Sequence, residues 1–142
     1  MIKNFITSLF IIITIFNSNA NTANENFFND GKFLFEKKDF KNARFKFEKD
    51  IVFNPKSEKS YLYLAKIFKN DKKNQLVENN LRTVILLNPK NEEAIYELAL
   101  HNINKSNFDE SKVLIKNFKE ICIKLCSKKA ELENRLENSL KK

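Results

Sequence analysis

The chain has 142 residues and a net charge of +8 at neutral pH, with 26 Lys and Arg residues against 18 Asp and Glu residues. This length fits one domain with a sizeable core. The chain contains one Gly, two Pro, two Cys and one His. That composition excludes a glycine-rich phosphate loop, and the scarcity of helix breakers favours continuous helices in a single unit.

Residues 1–20 have the three-part layout of a secretory signal peptide. Lys3 precedes an apolar run, and the small residues Ser18 and Ala20 form the small-x-small pattern that a signal peptidase reads. The apolar run covers about a dozen residues, short of the roughly 20 that cross a bilayer. We therefore predict cleavage after Ala20, a flexible N-terminus over residues 21–26, no stable membrane span after cleavage, and a periplasmic or secreted protein. The alternative is an uncleaved membrane anchor.

A fixed repeat organises the remaining chain. The sequence Asn54-Pro55-Lys56 returns as Asn88-Pro89-Lys90, 34 residues later. Proline cannot continue a helix and pushes the preceding residue out of helical geometry. Each Asn-Pro pair therefore ends one helix, and the spacing predicts stacked repeats rather than one closed fold.

Apolar residues recur three and four positions apart after residue 26, which is the periodicity of amphipathic helices. The first predicted helix starts at Phe27 and ends before a turn at residues 37–39, and the second runs from Phe40 to Phe53. Ser57 and Asn91 stand where N-caps are expected. No strand-like alternation appears, so the predicted fold class is all-α. The four following helices are predicted at Glu58–Asn70, Asn74–Leu87, Glu92–Asn104 and Phe108–Ile121.

This pattern resembles the tetratricopeptide repeat (TPR), a 34-residue helix–turn–helix unit with conserved small, aromatic and proline positions. The resemblance implies a TPR-like α-solenoid with three repeats at about residues 24–57, 58–91 and 92–122, within a TPR domain over residues 27–142. The matching residues are Phe27, Gly31, Leu34, Ala43, Phe47 and Pro55 in the first unit, Tyr61, Leu64, Ala65, Phe68, Val77, Leu81 and Pro89 in the second, and Ile95, Leu98, Ala99 and Ile115 in the third.

Four residues depart from the TPR pattern. Asp30 replaces a leucine, so we expect the first helix to be more exposed on one side. Asn102 and Ser111 place polar groups at core positions of the third unit, and Ile123 stands where the closing proline is expected. We expect this third unit to be looser or to run on differently into the next segment.

A final amphipathic helix over residues 126–140 is predicted to cap the array, because stacked repeats leave an apolar face open at the end. Ser127 is the expected N-cap. The apolar stripe of this helix consists of Leu125, Leu132, Leu136 and Leu140.

The two cysteines, Cys122 and Cys126, lie between the last repeat and the cap. In an exported protein two cysteines favour a disulfide. One helical turn separates Cα atoms by about 6 Å, which a disulfide allows. The alternatives are two free, packed thiols and, less favoured, a redox motif or metal site, although two sulfurs alone do not make a zinc site.

The TPR resemblance implies a concave wall built from the first helix of each unit, which in that family holds an extended peptide or a partner's helix. The wall combines an apolar row with basic ends, which would suit an extended segment carrying apolar side chains and an acidic group. The alternative is that these residues only fill the inner side of the solenoid. The candidate groove residues are Phe28, Lys32, Phe35, Leu62, Lys66, Lys69, Tyr96, Leu100 and Ile103.

Some TPR proteins grip a C-terminal carboxylate with a Lys/Asn/Arg clamp on these helices. Here the clamp positions carry Phe28, Tyr63, Glu93 and Glu97. This specific function does not carry over from the resemblance.

Few other residues in the sequence suggest a catalytic or metal-binding site. His101 is the single histidine and belongs to no nucleophile motif, and the carboxylates are mixed with Lys along helix faces. We therefore predict no catalytic residue, cofactor or metal, and no enzyme. The expected function is a monomeric interaction scaffold in the periplasm that binds another protein or peptide and no nucleic acid. The alternative is binding of an anionic lipid or cell-wall surface through the excess Lys, unless a Lys- and Asn-rich composition only reflects an AT-rich genome.

Overall fold

The computed structural model describes residues 26–141, and this part of the chain is helical without any strand. The predicted signal peptide and residues 21–25 lie outside the described residues. Three helical hairpins follow one another, and a last helix packs on the third. The helices are α1 (Phe27–Glu36), α2 (Phe40–Phe53), α3 (Glu58–Asn70), α4 (Asn74–Leu87), α5 (Glu92–Asn104), α6 (Phe108–Ile121) and α7 (Lys129–Leu140). The predicted all-α class and the predicted bounds of the five helices from α2 to α6 are confirmed.

The turn inside each hairpin repeats with the same period of 34 residues. Lys38, Lys72 and Ser106 each adopt a left-handed conformation, with φ values of 62°, 57° and 59°. Such a conformation costs a non-glycine residue roughly 1–2 kcal/mol. The turns offset this cost, because the amide of the following residue closes the end of the first helix. These bonds run from Asp39 N to Leu34 O, from Lys73 N to Phe68 O and from Asn107 N to Asn102 O, each at 2.9 Å.

Side-chain caps define several helix starts. Asn26 accepts a hydrogen bond from the Asn29 amide at 3.1 Å, so this residue of the predicted flexible N-terminus is part of the fold. Asn91 accepts from the Ala94 amide at 2.9 Å, as expected of an N-cap. Ser57 occupies the N-cap position of α3 but makes no cap bond.

Small residues allow the helices of each hairpin to approach closely. A Cβ atom added to Gly31 would lie 2.8 Å from two ring carbons of Phe47, and Phe47 is fully buried. Ala65 and Ala99 are buried at the equivalent places in α3 and α5. The 34-residue register assigned from the sequence is therefore the register of the packing.

The third unit runs on differently into the next segment, which is one of the two alternatives predicted, and its first helix is no less buried than that of the second unit. Its first helix, α5, has seven buried residues, one more than α3. Asn102 and Ser111 are both fully buried, and the Ser111 hydroxyl donates to the Asn107 carbonyl at 2.7 Å. The unit is well packed because α7 covers α5 and α6. α6 ends at Ile121 without a proline, since the backbone of Cys122 turns to an extended conformation.

The cap differs from its prediction in two details. A 3₁₀ turn occupies Cys126–Lys128, and α7 starts only at Lys129. Ser127 lies inside this turn and is not an N-cap. Leu132 is fully buried, but Leu140, the last residue of α7, is half-exposed.

Replacing Ala99 with leucine tests the packing register. Ala99 is fully buried, so the extra atoms of a leucine side chain have no space there. We therefore expect the free energy of unfolding to fall by about 1–3 kcal/mol. Ala130→Leu, at an exposed position of α7, is the matched control and should change stability by no more than about 0.5 kcal/mol. Urea unfolding followed by circular dichroism measures both. Equal stability of the two variants would contradict the assigned register.

Candidate functional site

A pocket opens on the side of the solenoid formed by the first helices of the hairpins. Its volume is about 260 Å³. The four predicted groove residues Phe35, Leu62, Lys66 and Lys69 line it. The first helices of all three units contribute, so the pocket exists only because the hairpins stack. The other lining residues are Ala65, Val77, Leu81 and Glu97.

The floor of the pocket is apolar and its rim is charged. Lys69 Nζ lies 2.6 Å from Glu97 Oε2, and Lys66 Nζ lies 2.8 Å from Glu93 Oε1. Both pairs join α3 to α5 across the groove. The basic ends predicted from the sequence are therefore balanced by carboxylates at this point.

An aromatic cluster forms the N-terminal end of the groove. The ring centre of Tyr63 lies 5.7 Å from that of Phe28, 5.0 Å from that of Phe35 and 5.0 Å from that of Phe47. Edge and stacked contacts of this kind add about 0.5–1.5 kcal/mol each to the burial of the rings. The cluster holds Phe35 rigidly at the pocket wall.

The C-terminal end of the predicted groove is not open. Tyr96 packs against Phe118, with 5.9 Å between the ring centres, and its hydroxyl lies beside the Glu131 carboxylate of α7. Burial, with the carboxylate beside it, raises the pKa of Tyr96 to about 12. Ile103 is also buried in the core. These two residues support the cap rather than an open surface.

The remaining candidates are spread out. Phe28 is half-buried in the aromatic cluster, and Leu100 is half-buried against the core. Lys32 is exposed and lies 3.7 Å from Glu36 within its own helix. The structure thus brings four of the nine predicted residues together in the pocket.

Sequence reasoning missed the part of the pocket that comes from α4. Val77 and Leu81 were assigned to the TPR core pattern, and both are buried. They also line the pocket. The sequence did contain a signal for the charged rim of the pocket, because Glu93 and Glu97 lie one helical turn apart on the same helix as Tyr96.

A second charged cluster joins α4, α5 and α6. Glu78 accepts from Lys105 at 2.6 Å and lies 3.0 Å from Arg82, which also reaches Glu110 at 2.6 Å. The hydrogen bond from Lys105 lowers the pKa of Glu78, and that from Arg82 lowers the pKa of Glu110. His101 Nε2 is buried 3.6 Å from Glu78 without a hydrogen bond. Burial lowers the pKa of His101.

The cysteines lie at disulfide distance, as the sequence predicted. Their sulfur atoms are 2.12 Å apart and their Cα atoms 5.2 Å apart. The loop between them is held from the other side, because the Glu92 carboxylate accepts the amides of Lys124 and Leu125 at 3.0 and 2.7 Å. The bond from Leu125 lowers the pKa of Glu92. This loop fixes the start of the cap against α5.

Within residues 26–141, no group of three or more His, Cys, Asp or Glu side chains is placed to hold a metal ion. In the same range, no helix is long and apolar enough to cross a membrane.

Comparison with known proteins identifies the fold. No protein-family model matches the chain, and no curated protein matches it in sequence. The structure is similar to the type III secretion translocator chaperone SycD of Yersinia enterocolitica, with a TM-score of 0.75 and 11% identity over 92% of this chain and 94% of that one. SycD in complex with a peptide of the translocator YopD gives a TM-score of 0.67 and 14% identity over 88% and 95% of the two chains. The chain has a TPR-like solenoid fold. At these identities the similarity shows the fold alone.

Reduction of the disulfide should weaken the cap. The bond closes a short loop, since its sequence separation is four, so chain entropy predicts a loss of about 2 kcal/mol on reduction. The double variant Cys122→Ser/Cys126→Ser should show that lower stability with and without a dithiol reductant. Thermal unfolding of the exported protein measures the change. Two titratable thiols before reduction would contradict the disulfide.

His101 should make stability depend on pH near neutrality. Its folded pKa lies below the ordinary value of 6.5, so below that value the unfolded chain binds the proton more readily. Stability is therefore complete above roughly pH 6.5 and falls as the pH decreases. The pKa of Glu78 is also lowered, so its contribution to stability is lost only at lower pH, below its ordinary pKa of 4.5.

The test compares the wild-type protein with His101→Gln by urea unfolding at roughly pH 7.5 and 5.5. We expect the wild-type protein to lose more stability than the variant over this range. An equal change in both proteins would show that His101 is not held neutral.

Proposed function

We propose that this protein is an exported, non-catalytic scaffold that binds an extended segment of another protein in its inner groove. The pocket between the three hairpins carries the proposal, because it offers an apolar floor of Phe35, Leu62, Val77 and Leu81 under a charged rim. Concave, mostly apolar pockets with a few placed polar groups are the usual form of a binding site.

The geometry suits a peptide that inserts one apolar side chain. A cavity of about 260 Å³ has room for an aliphatic or aromatic side chain, and burying one contributes roughly 1.5–3 kcal/mol. Such an anchor would supply most of the affinity, since a few buried residues dominate binding energy in interfaces.

The rim would supply orientation. Lys66 and Lys69 are paired with Glu93 and Glu97 in partly exposed ion pairs, and pairs of this kind contribute only about 0–1 kcal/mol. An acidic or basic group on the peptide could replace one member at little cost. A ligand with charges of both signs near its anchor would fit this rim.

The comparison with SycD supports the proposal without proving it. SycD, which has the same fold, occurs in complex with a peptide of a translocator. By analogy, a peptide is a reasonable ligand for a solenoid of this size.

Export is the further part of the proposal. It rests on the signal-peptide pattern of residues 1–20 and is supported by the cysteine pair at disulfide distance. Disulfides persist in oxidising compartments such as the periplasm and are rare in the cytosol.

Site-specific photo-crosslinking in the exporting cell tests the groove. A photoreactive amino acid at Lys69, on the pocket rim, should capture a defined partner segment. The same amino acid at Leu86, which is exposed on α4 outside the pocket, should not. Peptide mapping of the adduct by mass spectrometry then identifies the bound segment.

A binding measurement with that segment provides the control. Phe35→Ala should weaken binding about tenfold, because it removes one wall of the pocket, while Leu86→Ala should leave affinity unchanged. Melting curves of both variants separate loss of the pocket from loss of the fold. Equal capture from Lys69 and Leu86, or unchanged affinity of the Phe35→Ala variant, would reject the groove as the site.

A further inference from the structure

The N-terminal end of the solenoid exposes large aromatic side chains. Phe33 and Phe45 are each 56% exposed and Phe53 is 74% exposed. Large exposed apolar patches on soluble proteins mark interaction sites. We call the surface formed by Phe27, Phe33, Phe45 and Phe53 with Lys37, Lys46 and Lys49 the aromatic–lysine face.

Ring and ammonium contacts join Phe27, Phe45, Phe53 and Lys49 into one cluster, and Lys37 pairs with Phe33. The Phe27 and Phe53 rings stack at 5.5 Å. Lys49 Nζ lies 5.1 Å from the centre of the Phe27 ring and 5.2 Å from that of Phe45. Lys37 Nζ lies 4.5 Å over the Phe33 ring. Each of these lysines therefore lies against at least one phenylalanine ring.

Phe33 is exposed because no hairpin among the described residues packs on this side of α1. Asp30 and Phe33 of α1 correspond to Leu64 and Ile67 of α3, 34 positions later. Leu64 is 2% exposed and Ile67 1% exposed, because α3 packs on α2 of the preceding hairpin. No hairpin precedes α1 within residues 26–141.

The charge on this face differs from that of the groove. Lys37 and Lys49 contact rings and have no carboxylate partner among the described residues. In the groove, by contrast, Lys66 and Lys69 are neutralised by glutamates. Asp30 is paired with Lys46 at 2.8 Å. The face therefore presents phenylalanine rings together with an excess of positive charge.

We propose that the aromatic–lysine face docks the protein onto a bilayer that contains anionic phospholipid. Phenylalanine rings enter the boundary between headgroups and acyl chains, and lysines beside them attract anionic headgroups. A second copy of the chain fits this surface less well, because a symmetric contact would place the same lysines opposite each other. The proposal is independent of peptide binding in the groove.

Vesicle co-sedimentation of the full chain, as its host exports it, tests the proposal. Vesicles containing phosphatidylglycerol are compared with vesicles of phosphatidylcholine alone. We expect binding to the anionic vesicles only, with a marked decrease as salt rises from about 50 to 200 mM, because salt screens exposed charges.

Two pairs of variants locate the surface. Phe33→Ser/Phe45→Ser and Lys37→Glu/Lys49→Glu should each weaken binding by about tenfold or more, since each lysine near an anionic surface contributes roughly fivefold. Leu86→Ser/Val113→Ser is the control for apolar residues, as these side chains are 81% and 67% exposed elsewhere. Lys90→Glu/Lys116→Glu changes the net charge equally at exposed positions away from the face. Both controls should bind like the wild-type protein.

Three results would overturn the proposal. Unchanged binding of Phe33→Ser/Phe45→Ser would exclude the rings. An equal loss in the two lysine double variants would show that only net charge matters. A dimer that dissociates on Phe33→Ser/Phe45→Ser, without vesicle binding, would assign the face to a second copy. Peptide capture in the groove should be unaffected in every case.

Discussion

The two helices of each hairpin can pack closely only where one of them carries a small side chain, and the hairpins formed in this way bury their remaining apolar sides against one another. At Gly31 even a methyl group would lie 2.8 Å from the Phe47 ring. Ala65 and Ala99 occupy the equivalent places. Because the same contact recurs every 34 residues, a single local geometry determines the direction in which the whole array grows. The pocket follows from it, since three stacked first helices must contribute before a cavity with an apolar floor forms.

The helices were predictable because two kinds of local signal agree in this chain. Apolar periodicity marks each helix, and the Asn-Pro pairs at 54–55 and 88–89 mark the ends of α2 and α4. The errors lie where the repeat stops. Leu140 was placed in the apolar stripe of the cap, yet its side chain is half-exposed. Ser127 was read as an N-cap, although a 3₁₀ turn intervenes before α7. No repeat extends into the segment after α6, so the local sequence pattern alone was insufficient to predict where α7 begins and which of its residues are buried.

The site was only partly predictable because its character depends on pairs that sequence position does not reveal. The helical face of Lys66 and Lys69 was correctly assigned, but their charge is balanced by two glutamates of the next unit. Tyr96 was assigned to the same face, and the cap covers it. Val77 and Leu81 belong to α4, the second helix of the unit, and also line the pocket. The repeat pattern predicts which face of a helix a residue lies on, but the stacking of the units determines which residues of the neighbouring unit lie opposite it.

A stack of repeats leaves an apolar face without a further repeat to cover it at each end, and the two ends of this solenoid differ in how that face is covered. At the C-terminal end, α7 buries Leu132, the cysteine pair closes the connecting loop, and Glu92 holds two amides of that loop. At the N-terminal end, Phe33 occupies the position that is buried as Ile67 in the next unit, yet within residues 26–141 both Phe33 and Phe45 are exposed, each beside a lysine. A polar residue at either position would cost little, because both side chains are largely in water already. The presence of rings there, next to Lys37 and Lys49, which have no carboxylate partner within residues 26–141, is therefore better explained by an external surface that covers them than by the needs of the fold.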